Sequence, residues 1–350
     1  MNLRLLSRTA AVLLLILALA AGCGMKAATT EEPPAPPPVT EPEPEPIPEP
    51  EPEPEPVLPY TYPLTGIPTE EHLTDRAIAV MVENSPAARP QTGLHEADIV
   101  YEVLAEGEIT RFIAIYHSIP SEEIGPVRSI RPYMVELGRA VDGIIVHAGW
   151  SQEAMNLMEK YKVAHLDQVY GDHEYYWRDS SRKAPHNLYT SVELIRKGAD
   201  KRKFRTEWTA PVLTFRSAEE ISGETAAKVQ IPYIAGYHVG YEYDAVEKTY
   251  LRLMKGEPHT DKKTDTRLSA TNVLIVEASH RIVDDVGRRH IDVFGPGEGY
   301  LLQNGVKRDI TWKMADGLIR PFDASGNELP LVPGKTWIQI VPDLDKVTFE

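Results

Sequence analysis

The segment IGPVRSIRPY, from Ile124 to Tyr133, places Arg128 and Arg131 three positions apart, with Ser129 between them and a proline on either side. Pro126 and Pro132 fix φ, and Arg131, preceding a proline, is kept out of helical angles. This spacing predicts a braced loop that ends at the cap of a helix starting at Pro132. A helix start offers unpaired N–H groups and partial positive charge. Two guanidinium forks add bidentate donors matched to phosphate or carboxylate, and Ser129 adds a hydroxyl. The chemistry implied is capture of an anion. Asp98, Glu102, Glu106 and Glu108 lie nearby in sequence, so internal ion pairing stands beside ligand binding as a reading of the same two arginines.

Two further groups could share such a site. In WRDSSRKAPHNLYTS, Arg178, Arg182, His186 and Asn187 alternate with Trp177 and Tyr189. The segment is long, irregular and too aromatic for a disordered linker, which points to a loop that folds over a sheet. In IVHAGWSQEA, His147 ends an apolar run, Gly149 permits a tight turn and Ser151 suits a helix N-cap better than a nucleophile. Proton transfer on a bound phosphate would fall to Asp98, Glu102, His147 or His186. A G-x-S-x-G elbow is absent. GDHEYY and EPHTDKKTD carry oxygen and imidazole ligands without the spacing of a zinc or calcium site. Neither a metal nor another cofactor is expected.

The chain opens with MNLRLLSRTAAVLLLILALAAGC, a basic start followed by an apolar run and small residues. That is the pattern of a secretory leader, and the run is short for a spanning helix. It ends at Cys23, the single cysteine of the chain. Ala20-Ala21-Gly22-Cys23 resembles the lipobox of bacterial lipoproteins, which implies lipidation of Cys23 and anchoring on the extracytoplasmic face of the cell membrane without a spanning helix. Residues 24–57 are dominated by Pro and Glu, cannot bury apolar surface and read as a disordered tether. At ~3.1 Å per residue it would reach roughly 100 Å. The whole chain carries −15; the tether's nine Glu against one Lys and the leader's two Arg leave residues 58–350 at net −9. No basic stripe forms, so nucleic acid is not an expected partner.

The elements that must position the candidate residues fall into two groups. Over residues 58–205, apolar runs alternate with amphipathic stretches: RAIAVMVEN, the pair ADIVYEVLA and TRFIAIYHS across a Gly107 turn, a helix at PYMVELGRAV, a strand at DGIIVHAG, and helices after Ser151 and after a Thr190–Glu193 capping pattern. This predicts an α/β domain with a mixed sheet. Over residues 206–350 strand patterns dominate, with Asn304-Gly305 as a hairpin turn, which predicts a smaller, mostly antiparallel β domain.

Taken in order, PLTG, RAIAVMVENSPAARPQTGLHEADIVYEVLAEGEITRFIAIYH, IGPVRSIRPY, HAGWSQEA, KAPHNLYTS, GEPHTD, GYLLQNGVKRDITWKM and GKTWIQIVP resemble the YerB-like lipoproteins of Gram-positive bacteria across nearly all of residues 60–350. The resemblance implies a lipoprotein with two adjoining domains and a link to penicillin-binding-protein partners in cell-wall assembly. It supplies no catalytic mechanism. The stretch from Ala97 to Tyr133 also resembles, at the level of fold, the LytR-CpsA-Psr phosphotransferases, in which an Asp before a strand pair and an arginine loop meet a polyprenyl pyrophosphate. Their Pro-Arg-Asp sequence is not present, since Pro132 follows Arg131. Asp98 and Arg128 or Arg131 would be the loose analogues.

Two classes of function follow. The first is an envelope lipoprotein that binds an anionic ligand, a wall polymer or a cell-wall-synthesis protein. The second is a phosphotransferase or hydrolase acting on lipid-linked or phosphate-containing wall polymers. In a third reading the arginine loop is structural and the β-rich half makes the contacts.

Overall fold

A computed structural model describes residues 58–209, 213–218 and 221–350. The leader with Cys23, the 24–57 segment and part of the 206–221 connection lie outside the described residues. Pro56–Glu350 forms one compact unit.

The first half builds its sheet from β1 (Ile78–Glu83), β2 (Ile99–Leu104), β3 (Thr110–Tyr116), β4 (Ile144–His147) and β5 (His165–Asp167). Every residue of β1 to β4 is buried, as their continuous apolar runs require for strands covered on both faces. β2 and β3 form the antiparallel hairpin expected across Gly107, and β1 joins β3 antiparallel. β1, β4 and β5 are parallel neighbours, so their carboxyl ends share one edge. The sheet is mixed, and helices α1 (Pro132–Ala140), α2 (Gln152–Tyr161) and α3 (Val192–Lys201) accompany it. Arg131 is the extended N-cap of α1, and Pro132 is its first residue, as the X-Pro rule predicts. The Ser151 hydroxyl caps α2. For α3 the cap falls one residue later than the Thr190 pattern suggests: the Ser191 hydroxyl accepts from Leu194 N–H, while the Thr190 hydroxyl donates to the Tyr175 carbonyl.

The second half contributes β6 (Lys228–Ile234), β7 (Tyr237–Asp244), β8 (Thr249–Met254), β9 (Asn272–Glu277), β10 (Gly297–Gln303), β11 (Val306–Ala315), β12 (Leu318–Phe322) and β13 (Thr336–Val341). β6, β7 and β8 form the core of a separate antiparallel sheet. β9 to β12 form an antiparallel run in which Asn304 and Gly305, at φ 50° and 76°, make the turn between β10 and β11.

β13 then lies parallel between β9 and β2. The fully buried run Thr336–Val341 thereby joins the two halves into one eleven-stranded sheet. The mixed sheet with helices and the antiparallel sheets agree with the expected fold class. The continuity of the sheet is additional.

Candidate functional site

The carboxyl ends of β1, β4 and β5 gather the arginine loop, the His147–Ser151 turn and the Trp177–Tyr189 loop. In open α/β sheets such an edge is where ligands usually meet the fold. Residues 124–130 pass along it by backbone pairing: Val127 N–H donates to the Leu188 carbonyl, Arg128 N–H to Met81, and Ile130 N–H to Gly149. Gly149 turns the chain at φ 77°, a left-handed angle that suits glycine. The Ser129 hydroxyl donates to the Ala148 carbonyl at 2.9 Å, which ties the loop to that turn.

The two arginines have different surroundings. Arg131 closes both prongs on Glu106, Nε to Oε2 at 2.9 Å and Nη2 to Oε1 at 2.7 Å, and its Nη1 donates to the Ile130 carbonyl. Buried Arg111, on β3, donates to the same Glu106 at 3.0 Å and to the Ser129 carbonyl at 2.7 Å. Burial works against ionisation of Glu106, but Arg111 and Arg131 outweigh it and hold the carboxyl down at about 2. Among the described residues Arg128 has a single ion pair, Nε to Glu83 Oε1 at the long separation of 3.6 Å, and its side chain is 31% exposed.

Glu83 ends β1 and is the centre of the edge. Its Oε1 accepts from the Ser85 hydroxyl at 2.8 Å and meets His186 Nδ1 at 2.9 Å. Its Oε2 is buried without a hydrogen-bond partner among the described residues. Ser85 Oγ also approaches His186 Nδ1, at 3.3 Å. In a serine-protease-type relay the two imidazole nitrogens are divided between acid and hydroxyl. Here both contacts fall on Nδ1, so Ser85 is not arranged as a nucleophile. What the arrangement can do is orient His186 through its Nδ1 side while Arg128 stands on the same carboxylate oxygen.

The Trp177–Tyr189 loop brings His186 there. Arg178 Nη1 donates to Asn187 Oδ1, Asn187 Nδ2 donates to the Asp179 and Arg182 carbonyls, and Arg182 donates to the carbonyls of Ala88 and Pro90. Arg178, Arg182 and Asn187 therefore brace the loop, and His186 reaches the edge.

The other titratable candidates sit apart from this group. Asp98, at the amino end of β2, accepts from the His117 and Ser118 N–H groups and the Ser118 hydroxyl, while burial pushes its carboxyl up. His147 is fully buried, its Nδ1 bonded to the Gly149 carbonyl and its Nε2 to His165. A carbonyl only accepts, so Nδ1 carries the proton and Nε2 receives the bond from His165. Burial lowers His147 to about 4.

Glu102 turns toward the second sheet. Its Oε2 accepts from Arg252 Nη2 at 2.5 Å, and its Oε1 from the Tyr237 and Thr110 hydroxyls at 2.6 and 2.7 Å. Both side chains of the Glu102–Arg252 pair are fully buried. Arg252 continues through His259 to Gln91, whose amide donates to the Glu83 carbonyl and to Asn84 Oδ1. The second sheet thus supports the end of β1 through a continuous hydrogen-bond chain.

Sequence reasoning missed Glu83, Ser85, Gln91, Arg111 and Arg252. A lone acid ending the apolar run IAVMVE was an available signal for Glu83. None marked Arg252, because in TYLRLM the alternation places the leucines inward, whereas Tyr250 and Arg252 are the buried face and Leu251 and Leu253 are half-exposed.

The N-terminal and C-terminal domain models of a family described as "Protein of unknown function (DUF3048)" match residues 64–205 and 229–338. The chain is 42% identical over 287 residues, 81% of its length and 86% of the relative's, to the Bacillus subtilis (strain 168) protein named "Putative lipoprotein YerB". It also resembles a crystal structure of the YerB protein from Bacillus subtilis, with TM-score 0.78 and 41% identity, covering 83% of this chain and 99% of that one. On these matches, the chain belongs to the YerB-like DUF3048 family.

Proposed function

We propose that this protein is a lipid-anchored component of the cell envelope whose head binds an anionic ligand at the carboxyl edge of β1, β4 and β5. In this reading Cys23, at the end of a signal peptide, carries the anchor on the extracytoplasmic face, and residues 24–57 form the spacer. The lipoprotein name of the Bacillus relative supports the anchor. The ligand is a phosphate- or carboxylate-bearing wall polymer or lipid-linked precursor, or an acidic surface of a cell-wall-synthesis protein. The observation that carries the reading is Arg128. It is a partly exposed guanidinium whose one ion pair among the described residues is 3.6 Å long, on a loop where Arg131 is already closed on Glu106. Ser129, Arg131, Arg178, Arg182 and Asn187 shape the loops, and Arg128 presents charge to the ligand with the His186 imidazole beside it. The test is calorimetry with pyrophosphate and a soluble undecaprenyl-phosphate analogue. Arg128→Ala should weaken binding about tenfold or more while leaving the fold intact. Unchanged affinity in that variant rejects the reading.

The Glu83–His186 contact favours a second reading, phosphotransfer or hydrolysis, because a carboxylate on Nδ1 orients an imidazole for acid–base work at Nε2. Turnover of a lipid-linked phosphate substrate that disappears in His186→Gln supports it; binding without turnover in the wild type leaves the first reading alone.

A further inference from the structure

A second charged region lies at the opposite, amino edge of the same strands. Arg76 precedes β1, Asp142 and Gly143 precede β4, Lys162 to Ala164 precede β5, and Lys203 to Arg205 follow α3. Together with Arg139 of α1 they line one cleft of about 530 Å³, a size ordinary for small-ligand sites. Five cations line it, Arg76, Arg139, Lys162, Lys203 and Arg205, against one acid, Asp142. Asp142 is shared: Arg76 meets it at 3.3 Å and Arg205 at 2.5 Å. Arg139 pairs with Glu136 and lies 4.1 Å over the Tyr161 ring. Lys162 and Lys203 make no side-chain hydrogen bond or ion pair among the described residues. Burial lowers the Arg76 guanidinium; Asp142 opposes this, and neighbouring Arg205 and Arg196 lower it further, as expected where cations crowd.

This concentration of positive charge stands on a head of net −9. The backbone adds a second observation. Lys162 ends α2 at φ 51°, and Lys203 follows α3 at φ 58°. Those are left-handed positions that glycine or asparagine normally takes at a helix end. Lysine stands at both places, as it also does at the Lys248 and Lys255 turns, and here both residues line one cleft. Each lysine also complements the negative end of its helix, and that alternative requires no ligand.

We infer that this cleft is an anion site separate from the Arg128 edge, and that its ligand is a phosphate-bearing anion of two or more charges. Forked guanidinium groups and compact ammonium groups lining one cleft together suit phosphate oxygens. The source is either a soluble phosphate or polyphosphate chain or the phosphate headgroups of a lipid surface.

The test uses the compact unit from Pro56 onward, titrated with tripolyphosphate at low salt and, separately, with vesicles of phosphatidylglycerol in phosphatidylcholine. The key variant carries Lys162→Gly and Lys203→Gly. Glycine relaxes the left-handed positions, so the variant should melt at the wild-type temperature or higher. Lys162→Asn with Lys203→Asn serves as a second variant should the first be destabilised. The wild type is expected to bind tripolyphosphate, and the variant to bind it about tenfold or more weakly. Each titration is also run in an Arg128→Ala background, which silences the carboxyl edge, and the outcomes are read there with the lysines present or replaced, so the two edges can fail independently. Vesicle binding lost in the same variant assigns the site to a lipid surface, and tripolyphosphate binding alone assigns it to a soluble anion. No binding of either probe by the wild type, or binding that survives both lysine variants, overturns the inference and leaves the lysines as helix-end charges.

Discussion

The two ends of β1, β4 and β5 handle charge in opposite ways. At the carboxyl edge the arginines are matched: Arg111 and Arg131 share Glu106, and Arg128 stands on Glu83, which the His186 imidazole also meets. At the amino edge, five cations line a cleft that holds one aspartate; Arg139 has Glu136 besides, while Lys162 and Lys203 have no ion pair among the described residues. Matched charge holds loops in position, and only its least satisfied member, Arg128, remains for a ligand. Unmatched charge raises the local concentration of anions without fixing a pose. Precision is therefore expected at the first edge and strong salt dependence at the second.

The largest expected effect comes from removing the support of the first edge alone. Arg252→Met leaves Glu102 buried and unpaired, which should cost about 3–5 kcal/mol by denaturant unfolding. The variant with Glu102→Gln as well should recover part of the loss. If it stays folded, Arg252→Met should weaken pyrophosphate binding at the Arg128 edge and leave tripolyphosphate binding at the amino edge intact. Equal damage to both would show that the edges are not independent.

Acidification comes next. His147 is lowered by burial to about 4 from an ordinary value near 6.5. The unfolded chain therefore binds the proton more readily, and stability falls as pH drops through the window from 6.5 to 4, by roughly 3 kcal/mol at its lower end. Urea melts at successive pH values should show this slope, and His147→Gln should reduce it, the rest coming from His117, His165, His259 and His280, which burial also lowers. Glu106, held at about 2, adds a loss only below its unfolded value near 4.5, so the two groups separate along the pH axis.

Arg131→Ala should cost about 1–3 kcal/mol, because Glu106 keeps Arg111 but loses its forked partner. Arg128→Ala should change stability by no more than about 1 kcal/mol, as expected for a partly exposed, long ion pair. Thermal melts of the two variants side by side test the division of labour directly, and equal losses would erase it.

Much of this architecture was legible in the chain. Apolar runs marked β1 to β4, Pro132 marked the start of α1, Ser151 its cap on α2, and Asn304-Gly305 the β10–β11 turn. These are local signals, readable wherever a residue type answers a backbone requirement. The insertion of β13 beside β2 was not legible, because a parallel partner more than 200 residues away leaves no mark on either strand. The same holds at the site. Two arginines three apart announced an anion, but which would meet Glu106 and which would face outward depended on Arg111 from β3. That the Trp177–Tyr189 loop could close on the arginine loop was foreseeable; that Glu83 would be the meeting point depended on β1 ending there.

The most direct measurement of the central claim is a pyrophosphate titration followed by melting temperature, in the chain carrying Lys162→Gly and Lys203→Gly so that the amino edge is silent. Binding only the folded state raises the melting temperature with ligand concentration. The account predicts a saturable rise that Arg128→Ala abolishes and that Arg131→Ala, though less stable, retains. A rise that persists without Arg128, or no rise while Arg128 is present, would contradict it.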